Sequence, residues 1–497
     1  MQPQFIPSRA EFRELTQHGN VIPVYADLIA DSETPVSAFS KLDRGGFSFL
    51  FESTEKNDVS GRFSFVGTDP RIVIRSRDDE IEITEQGQTR KFRSSSDPLS
   101  ELRRLMAQYQ FVRRPELPRF VGGAVGFLGY DAIRFFEPSV PVAEQDDLNL
   151  PEMLFMITGA VVIFDHRLRT VRILNNVFFT QEDDPDKLYD RACKGIRDVL
   201  QRLELPENMP PLDINRPAAK MEPRSSMNRD AFERCVRETK ECIARGDIFQ
   251  LVLSRRFEVG FDRDPLALYR CLRFVNPSPY MFCLNFGGDF SLVGSSPEMH
   301  VRAVDGLVEI RPIAGTRKRG HTPAEDEQNA VELLADAKER AEHVMLVDLA
   351  RNDVGRIAEF GSVRVTEKMG IERYSHVMHI VSHVVAKLRA DKDSYDVLRA
   401  TFPAGTVSGA PKIRAMQLIS GFEKFRRGCY AGAVGYFGFD GNLDSCIALR
   451  SVVLKEKTAY IQTGAGIVAD SIPAREYEET ESKGAAMMQA LGMAHDS

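Results

Sequence analysis

Short apolar runs dominate the first two hundred residues. Segments 21–25, 48–52, 63–66, 72–76 and 81–84 each read as a strand, and 160–164 and 170–174 continue the series. Segments 98–108 and 186–203 instead carry the spacing of a helix face. The apolar stretch 153–164 is too short to cross a bilayer and predicts a buried strand. A connector at 206–223 holds five prolines, which exclude a helix or a central strand there. The second half opens on a helix. Asn228 can cap it, Phe232, Val236 and Ile243 share a face, and Gly246 stops it. Strand-like runs follow at 248–257, 281–285, 291–293, 309–313, 432–439, 445–454 and 459–463, with helices predicted over 323–350, 375–389 and 474–491. Gly287 with Gly288, and Asp440 with Gly441, are hairpin turns that favour antiparallel pairing. The irregular alternation is not that of a parallel βαβ sheet, so the expectation is an α+β fold with large antiparallel sheets. There is no fixed-period repeat and no low-complexity tract.

At 497 residues the chain exceeds one ordinary core, so two or more layers or subdomains are expected. Its organisation divides into an N-terminal region 1–205, the connector 206–224 and a C-terminal region 225–497. Net charge is −7, which offers no basic footprint for nucleic acid. Local arginines inside an acidic protein still suit small anions. The first fifteen residues lack an apolar secretory core, and the seven scattered cysteines form no CxxC pair. Both point to the cytoplasm and to free thiols. Tryptophan is absent while phenylalanine occurs 32 times. A protein that must be made when tryptophan is scarce would have that composition.

Four carboxylates carry the first chemical signal. Glu339 and Glu342 lie three apart on one predicted helix, and Glu476 and Glu479 repeat the spacing on another. ExxE is ordinarily a solvated face. If the two faces converge, the carboxylates repel unless a cation neutralises them, and oxygen-only ligands imply Mg²⁺. Segment 463–469 formally fits GxGxxA, but Pro473 leaves no second strand for a ribose-binding acid; what remains is close backbone approach to an anion. Segment 405–412, GTVSGAPK, has the wrong spacing for a phosphate loop and reads as a tight turn against a substrate. His376, His379 and His383 lack the partners of a zinc site; one neutral imidazole can serve as acid or base. Arg311, Arg317, Arg351 and Arg450 stand by strand ends or glycine turns, where a guanidinium can grip a carboxylate.

In order along the chain stand NPSPYMF (276–282), GSSPE (294–298), RPIAGTRKRG (311–320), AEHVMLVDLARND (341–353), YSHVMHIVSHV (374–384), GTVSGAPK (405–412), YAGAVGYFG (430–438), SCIALRS (445–451), TGAGIVADS (463–471) and EYEETESK (476–483). This set resembles the chorismate-utilising enzymes and, among them, the large subunits of anthranilate synthases. It is strong over 225–497 and looser before that. The resemblance implies a sandwich-like core of antiparallel sheets with flanking helices. It implies Mg²⁺ held by Glu342 and Glu479, with Glu339 and Glu476 beside them. Tyr430 and Arg450 would bind the enolpyruvyl carboxylate of chorismate. Gly464, Ala465 and Gly466, with Lys483, would complete the cradle. Glu298 would be the general acid, His379 would assist pyruvate elimination, and Thr316 and Thr406 would be polar walls.

Two positions bear on the choice among sister activities. Water-using relatives carry lysine where this chain has Gln250, and aminodeoxychorismate synthases carry lysine where it has Ala314. Both favour amination to anthranilate over those rivals. A tryptophan-binding regulator without catalysis and an unrelated Mg²⁺-dependent hydrolase stand as further alternatives. No GxCxGxQ-like nucleophile loop occurs, so the resemblance implies a separate glutamine amidotransferase subunit, two of each in a heterotetramer. Finally, segment 50–53, LFES, resembles the family's tryptophan-binding element. It implies a feedback site made by Glu52 and Ser53 with Asn276, Pro279, Tyr280 and Met281 opposite.

Overall fold

The computed structural model describes residues 3–29, 31–53, 61–207, 209–215, 217–373 and 377–495. Two large sheets, whose described strand-to-strand ladders are antiparallel, face each other; isolated parallel bridges join Val21 to Phe111 and Gln145 to Phe425. The first runs, strand beside strand, from Val21–Ile29 through Thr170–Phe178, Ala160–Asp165, Phe63–Thr68 and Phe47–Glu52. It continues into Tyr280–Phe286, Ser291–Ser296, Ser451–Lys455, Thr458–Ile467 and Gln250–Gly260. The second joins Ile313–Lys318, Val377–Lys387, Leu307–Ile310, Met299–Val304, Leu443–Ile447 and Ala433–Gly438 to Gly123–Leu128, Met153–Ile157 and Ile72–Arg77. Strands from before and after the proline-rich connector therefore share both sheets; Phe51 pairs with Phe282, and Gly126 with Gly435.

Alternation along each strand separates the cores. In Met153–Ile157, Leu154 and Met156 point between the sheets and pack in a cluster with Phe127, Phe282 and Val434. Met153, Phe155 and Ile157 point outward to meet Leu99, Leu102 and Val354 from the covering helices. The outer face of the first sheet is covered likewise by helices Pro265–Val275 and Pro473–His495, through Leu268, Leu272, Met487 and Leu491. The result is an α+β sandwich with helices on both outer faces. Each fully buried Leu or Phe in it contributes roughly 1.5–3 kcal/mol.

Several expected elements divide or change type. The predicted helix over 323–350 is two helices, Pro323–Ala335 and Ala337–Gly355, broken at Asp336. The Asp336 carboxylate accepts from Lys338 N and Glu339 N and so starts the second. The predicted helix over 375–389 is instead the strand Val377–Lys387. Val377, Ile380, Val381, Val384 and Val385 are β-branched, and the segment is paired on both sides. His376 lies outside the described residues. Among the described residues no helix is long and apolar enough to cross a membrane.

Candidate active site at the crossings between the sheets

Two places where the chain passes from one sheet to the other lie side by side. Ser291–Ser296 belongs to the first sheet and Met299–Val304 to the second, so the passage falls at Pro297 and Glu298. Leu443–Ile447 belongs to the second and Ser451–Lys455 to the first, with Arg450 in the passage. The crossings are bonded together. Ile447 N donates to Glu298 O at 3.0 Å, Ser295 N to Arg450 O at 3.1 Å, and Ser296 Oγ to Ile447 O at 2.6 Å. Arg450 takes φ +47°, a left-handed turn that only local need justifies in a non-glycine residue.

Glu298 is partly buried. Burial raises its carboxyl to about 7, against the opposing influence of Thr406, Lys483 and Arg450. At neutral pH it is therefore poised to hold a proton. Thr406 comes from the turn Gly405–Val407. Burial lowers the pKa of Arg450, Glu298 opposing, and its Nη1 donates to Asn276 Oδ1 at 3.3 Å. The other three candidate arginines are engaged. Arg311 pairs with Glu372, Arg317 with Asp336 at 2.9 Å and Glu339 at 3.3 Å, and Arg351 with Asp348 at 2.9 Å. Arg450 has no ion-pair partner within 4.0 Å among the described residues. Of the four candidate arginines it alone lacks one.

His379 stands opposite Thr316 in register, and its Nδ1 lies 2.9 Å from Gly315 O and 3.1 Å from Thr316 Oγ1. Burial lowers its pKa; the Gly315 carbonyl opposes that and Arg450 adds to it, so the imidazole is neutral near pH 7. Tyr430 is buried, and burial raises its hydroxyl. A Cβ on Gly464 would sit 2.8 Å from the Tyr430 hydroxyl oxygen, and one on Gly466 2.8 Å from Gln250 Nε2. At Gly464 backbone Leu253 O, 3.0 Å away, also blocks a Cβ, while at Gly466 the glutamine side chain would have to move. Ala465, between them, is fully buried. Lys483 donates to Gly464 O at 3.0 Å and pairs with Glu479 at 2.7 Å.

Helices Ala337–Gly355 and Pro473–His495 bring the glutamates near one another. Glu342 is raised by burial and by Glu339 and Glu479, while Gln250 Nε2, 3.2 Å from its Oε1, opposes the shift. Burial and Glu479 also raise Glu476, with Ser471 opposing. Among the described residues no group of three or more His, Cys, Asp or Glu is drawn close enough to hold a metal ion. By chemistry alone, carboxylate oxygens are the donors a hard divalent cation takes. The four come from two helices, and Glu342 and Glu476 each lie in the unfavourable field of a neighbouring glutamate.

The feedback candidates gather elsewhere. Glu52, Ser53, Pro279, Tyr280 and Met281 line one cavity between the sheets. Asn276 does not. Its amide donates to Ser295 Oγ at 3.2 Å and accepts from Arg450, on the active-site side. Arg119, Arg302 and Asp444, which also line the cavity, carry no local sequence signal. They come from distant segments, and only the sheet pairing gathers them.

Known proteins resemble this chain in sequence and in fold. The model of the chorismate binding enzyme family matches residues 47–489. Anthranilate synthase component 1 of Aquifex aeolicus is 46% identical over 99% of this chain and 98% of that protein. The crystal structure of anthranilate synthase component I from Streptococcus pneumoniae superposes with a TM-score of 0.77 at 36% identity, covering 93% of this chain and 98% of that one. The menaquinone-specific isochorismate synthase of Escherichia coli shares the fold, with a TM-score of 0.72 at 18% identity over 97% and 100% of the two chains.

Proposed function

We propose, from the premise that the chain belongs to the chorismate-binding enzyme family and within it to the anthranilate synthase component I family, that it aminates chorismate to anthranilate. The observation that carries this reading is that one junction of the two sheets holds both Glu298, whose carboxyl burial raises to about 7, and Arg450, which has no ion-pair partner within 4.0 Å among the described residues. Arg450 and Tyr430 bind the enolpyruvyl carboxylate, and the Gly464 to Gly466 backbone with Lys483 closes the cradle. Ammonia adds at C2, the ring double bonds shift, and the C4 hydroxyl leaves as water with the proton of Glu298. His379, held by the Gly315 carbonyl and Thr316, assists the second stage. There the C2 proton is removed, the C3–O bond breaks, the ring becomes aromatic and pyruvate departs. Chorismate and ammonia thus become anthranilate, pyruvate and water.

Glu342 and Glu479, with Glu339 and Glu476 beside them, would hold Mg²⁺. When bound it supplies positive charge that steadies the ring carboxylate as electrons move. A glutamine amidotransferase subunit, two of each chain in a heterotetramer, delivers the ammonia, and the assembly works in the cytoplasm. Gln250 and Ala314 support ammonia over water or a lysine as the nucleophile.

The test is turnover of chorismate with Mg²⁺ and an ammonium salt at alkaline pH. Anthranilate and pyruvate are expected in equal amounts, and EDTA is expected to stop both. Folded protein that yields no anthranilate would overturn the reading, and aminodeoxychorismate in the same tube would name its replacement.

Tryptophan is the proposed inhibitor, held in the cavity of Glu52, Ser53, Pro279, Tyr280 and Met281. Ser53→Phe fills part of that space. The variant is expected to keep wild-type turnover while tryptophan loses at least ~10-fold in potency, since roughly 1.4 kcal/mol of binding is tenfold. Unchanged inhibition would remove Ser53 from the site.

A further inference from the structure

Arg427 and Glu423 form a buried ion pair beside the proposed substrate site, with side chains 2% and 5% exposed. Arg427 Nε donates to Glu423 Oε2 at 2.8 Å and Nη2 to Oε1 at 2.6 Å. The outer donors reach two separate backbone segments. Nη1 donates to Val407 O and Nη2 to Val252 O, both at 2.8 Å. Val407 follows Thr406 in the turn that faces Glu298. Val252 lies two residues along the strand from Gln250, which holds Glu342. The guanidinium carbon lies over two rings, 4.5 Å from the Tyr130 centroid and 5.6 Å from that of Tyr430. Tyr430 N also donates to Arg427 O at 3.2 Å. Glu423 is fixed in turn by Ser254 N at 2.7 Å and Ser254 Oγ at 2.9 Å.

A buried ion pair is a poor way to gain stability, because desolvation offsets much of the attraction and an apolar replacement is often as stable. Its geometry is better suited to positional control. A guanidinium has donors in a fixed planar fork, which a lysine ammonium does not reproduce. We propose that Arg427, locked by Glu423, is a positioning residue for chorismate: it sets the mutual placement of the Thr406 turn, the Gln250 strand and the Tyr430 ring, and touches no substrate itself. This rests on Tyr430 and Thr406 being walls of the chorismate site.

Arg427→Lys keeps a cation for Glu423 and loses the fork. Misplacing a site wall by about 1 Å costs on the order of 10²-fold. The variant is expected to lower kcat/KM about 10²-fold, with most of the change in KM and in directly measured chorismate affinity, and with an unchanged near-ultraviolet dichroism spectrum. In a Tyr430→Phe background the same substitution is expected to cost at least ~3-fold less, since residues acting through one another are not additive. The double variant Arg427→Met with Glu423→Gln leaves no buried unpaired charge. It is expected to fold and still to bind chorismate weakly. Wild-type affinity in either Arg427 variant, full additivity with Tyr430→Phe, or a loss that follows the unfolded fraction would overturn the proposal. Chorismate affinity is read separately from product. Wild-type protein that binds chorismate and makes no anthranilate would sink the functional reading, while the affinity ratios would still decide the positioning role.

Discussion

Glu298→Gln is expected to lower kcat for anthranilate formation about 10²–10⁴-fold, the range a positioned general acid supplies, with KM for chorismate changed little. Hydroxide leaves poorly from C4, and the amide cannot deliver a proton to it. The amide is nearly the same size as the carboxyl, so the crossing between the sheets stays intact. The pH dependence separates a lost acid from a disturbed site. The carboxyl is raised to about 7, by burial first, while Thr406, Lys483 and Arg450 pull the other way. An acid must be protonated to act. With free ammonia held constant, kcat/KM for chorismate is therefore expected to be flat below about pH 7 and to fall tenfold per unit above it. The variant should lack that falling limb. A steady-state profile at fixed free ammonia checks both statements. An unchanged limb in the variant would assign the titration to another group.

Arg450→Met is expected to reduce kcat/KM for chorismate about 10²–10³-fold, through KM, because truncating one partner of a buried charge pair costs roughly 2–5 kcal/mol. Arg450→Lys should fall between the variant and wild type, since it restores charge without the fork. The thermal midpoint is expected to move the opposite way. The guanidinium is charged in the free protein against its burial, which lowers its pKa, and only Glu298 opposes that shift. Its Nη1 donates to Asn276 Oδ1 at 3.3 Å. Replacing it by an apolar methionine removes a desolvated charge, so the midpoint should hold or rise. Lost affinity with undiminished stability marks a residue kept for its ligand. Equal loss of both would mark Arg450 as structural, with the strained turn at φ +47° depending on its side chain.

Asn276 gives the two cavities a shared neighbour. It closes the helix Pro265–Val275 and precedes the strand Tyr280–Phe286, whose first residues line the cavity of Glu52 and Ser53, while its amide holds Arg450. The family resemblance of NPSPYMF implied that it lines that cavity. The contact with Arg450 arises because the crossing at Arg450 runs beside Ser295, and no spacing within the motif encodes that neighbour.

Local chemistry in the chain is enough to specify most of its elements. Asn228 and Gly246 bound the helix Arg229–Ala244, and the turns at Gly287 with Gly288 and Asp440 with Gly441 join the hairpins where expected. The ordered motifs likewise determine the family, because side-chain type and order are properties of the chain alone. Three matters needed the tertiary structure. Segment 377–387 has apolar residues that suit a helix face or a doubly paired strand, and only neighbours on both sides select the strand. Segments 153–164 and 445–454 each read as one run, yet each divides between the two sheets, since a short apolar run suits either sheet equally. Finally, four arginines looked equivalent by position. Pairing with Glu372, Asp336 and Asp348 removed three of them, and Arg450 remained, because the energy of a charge is set by what surrounds it in space.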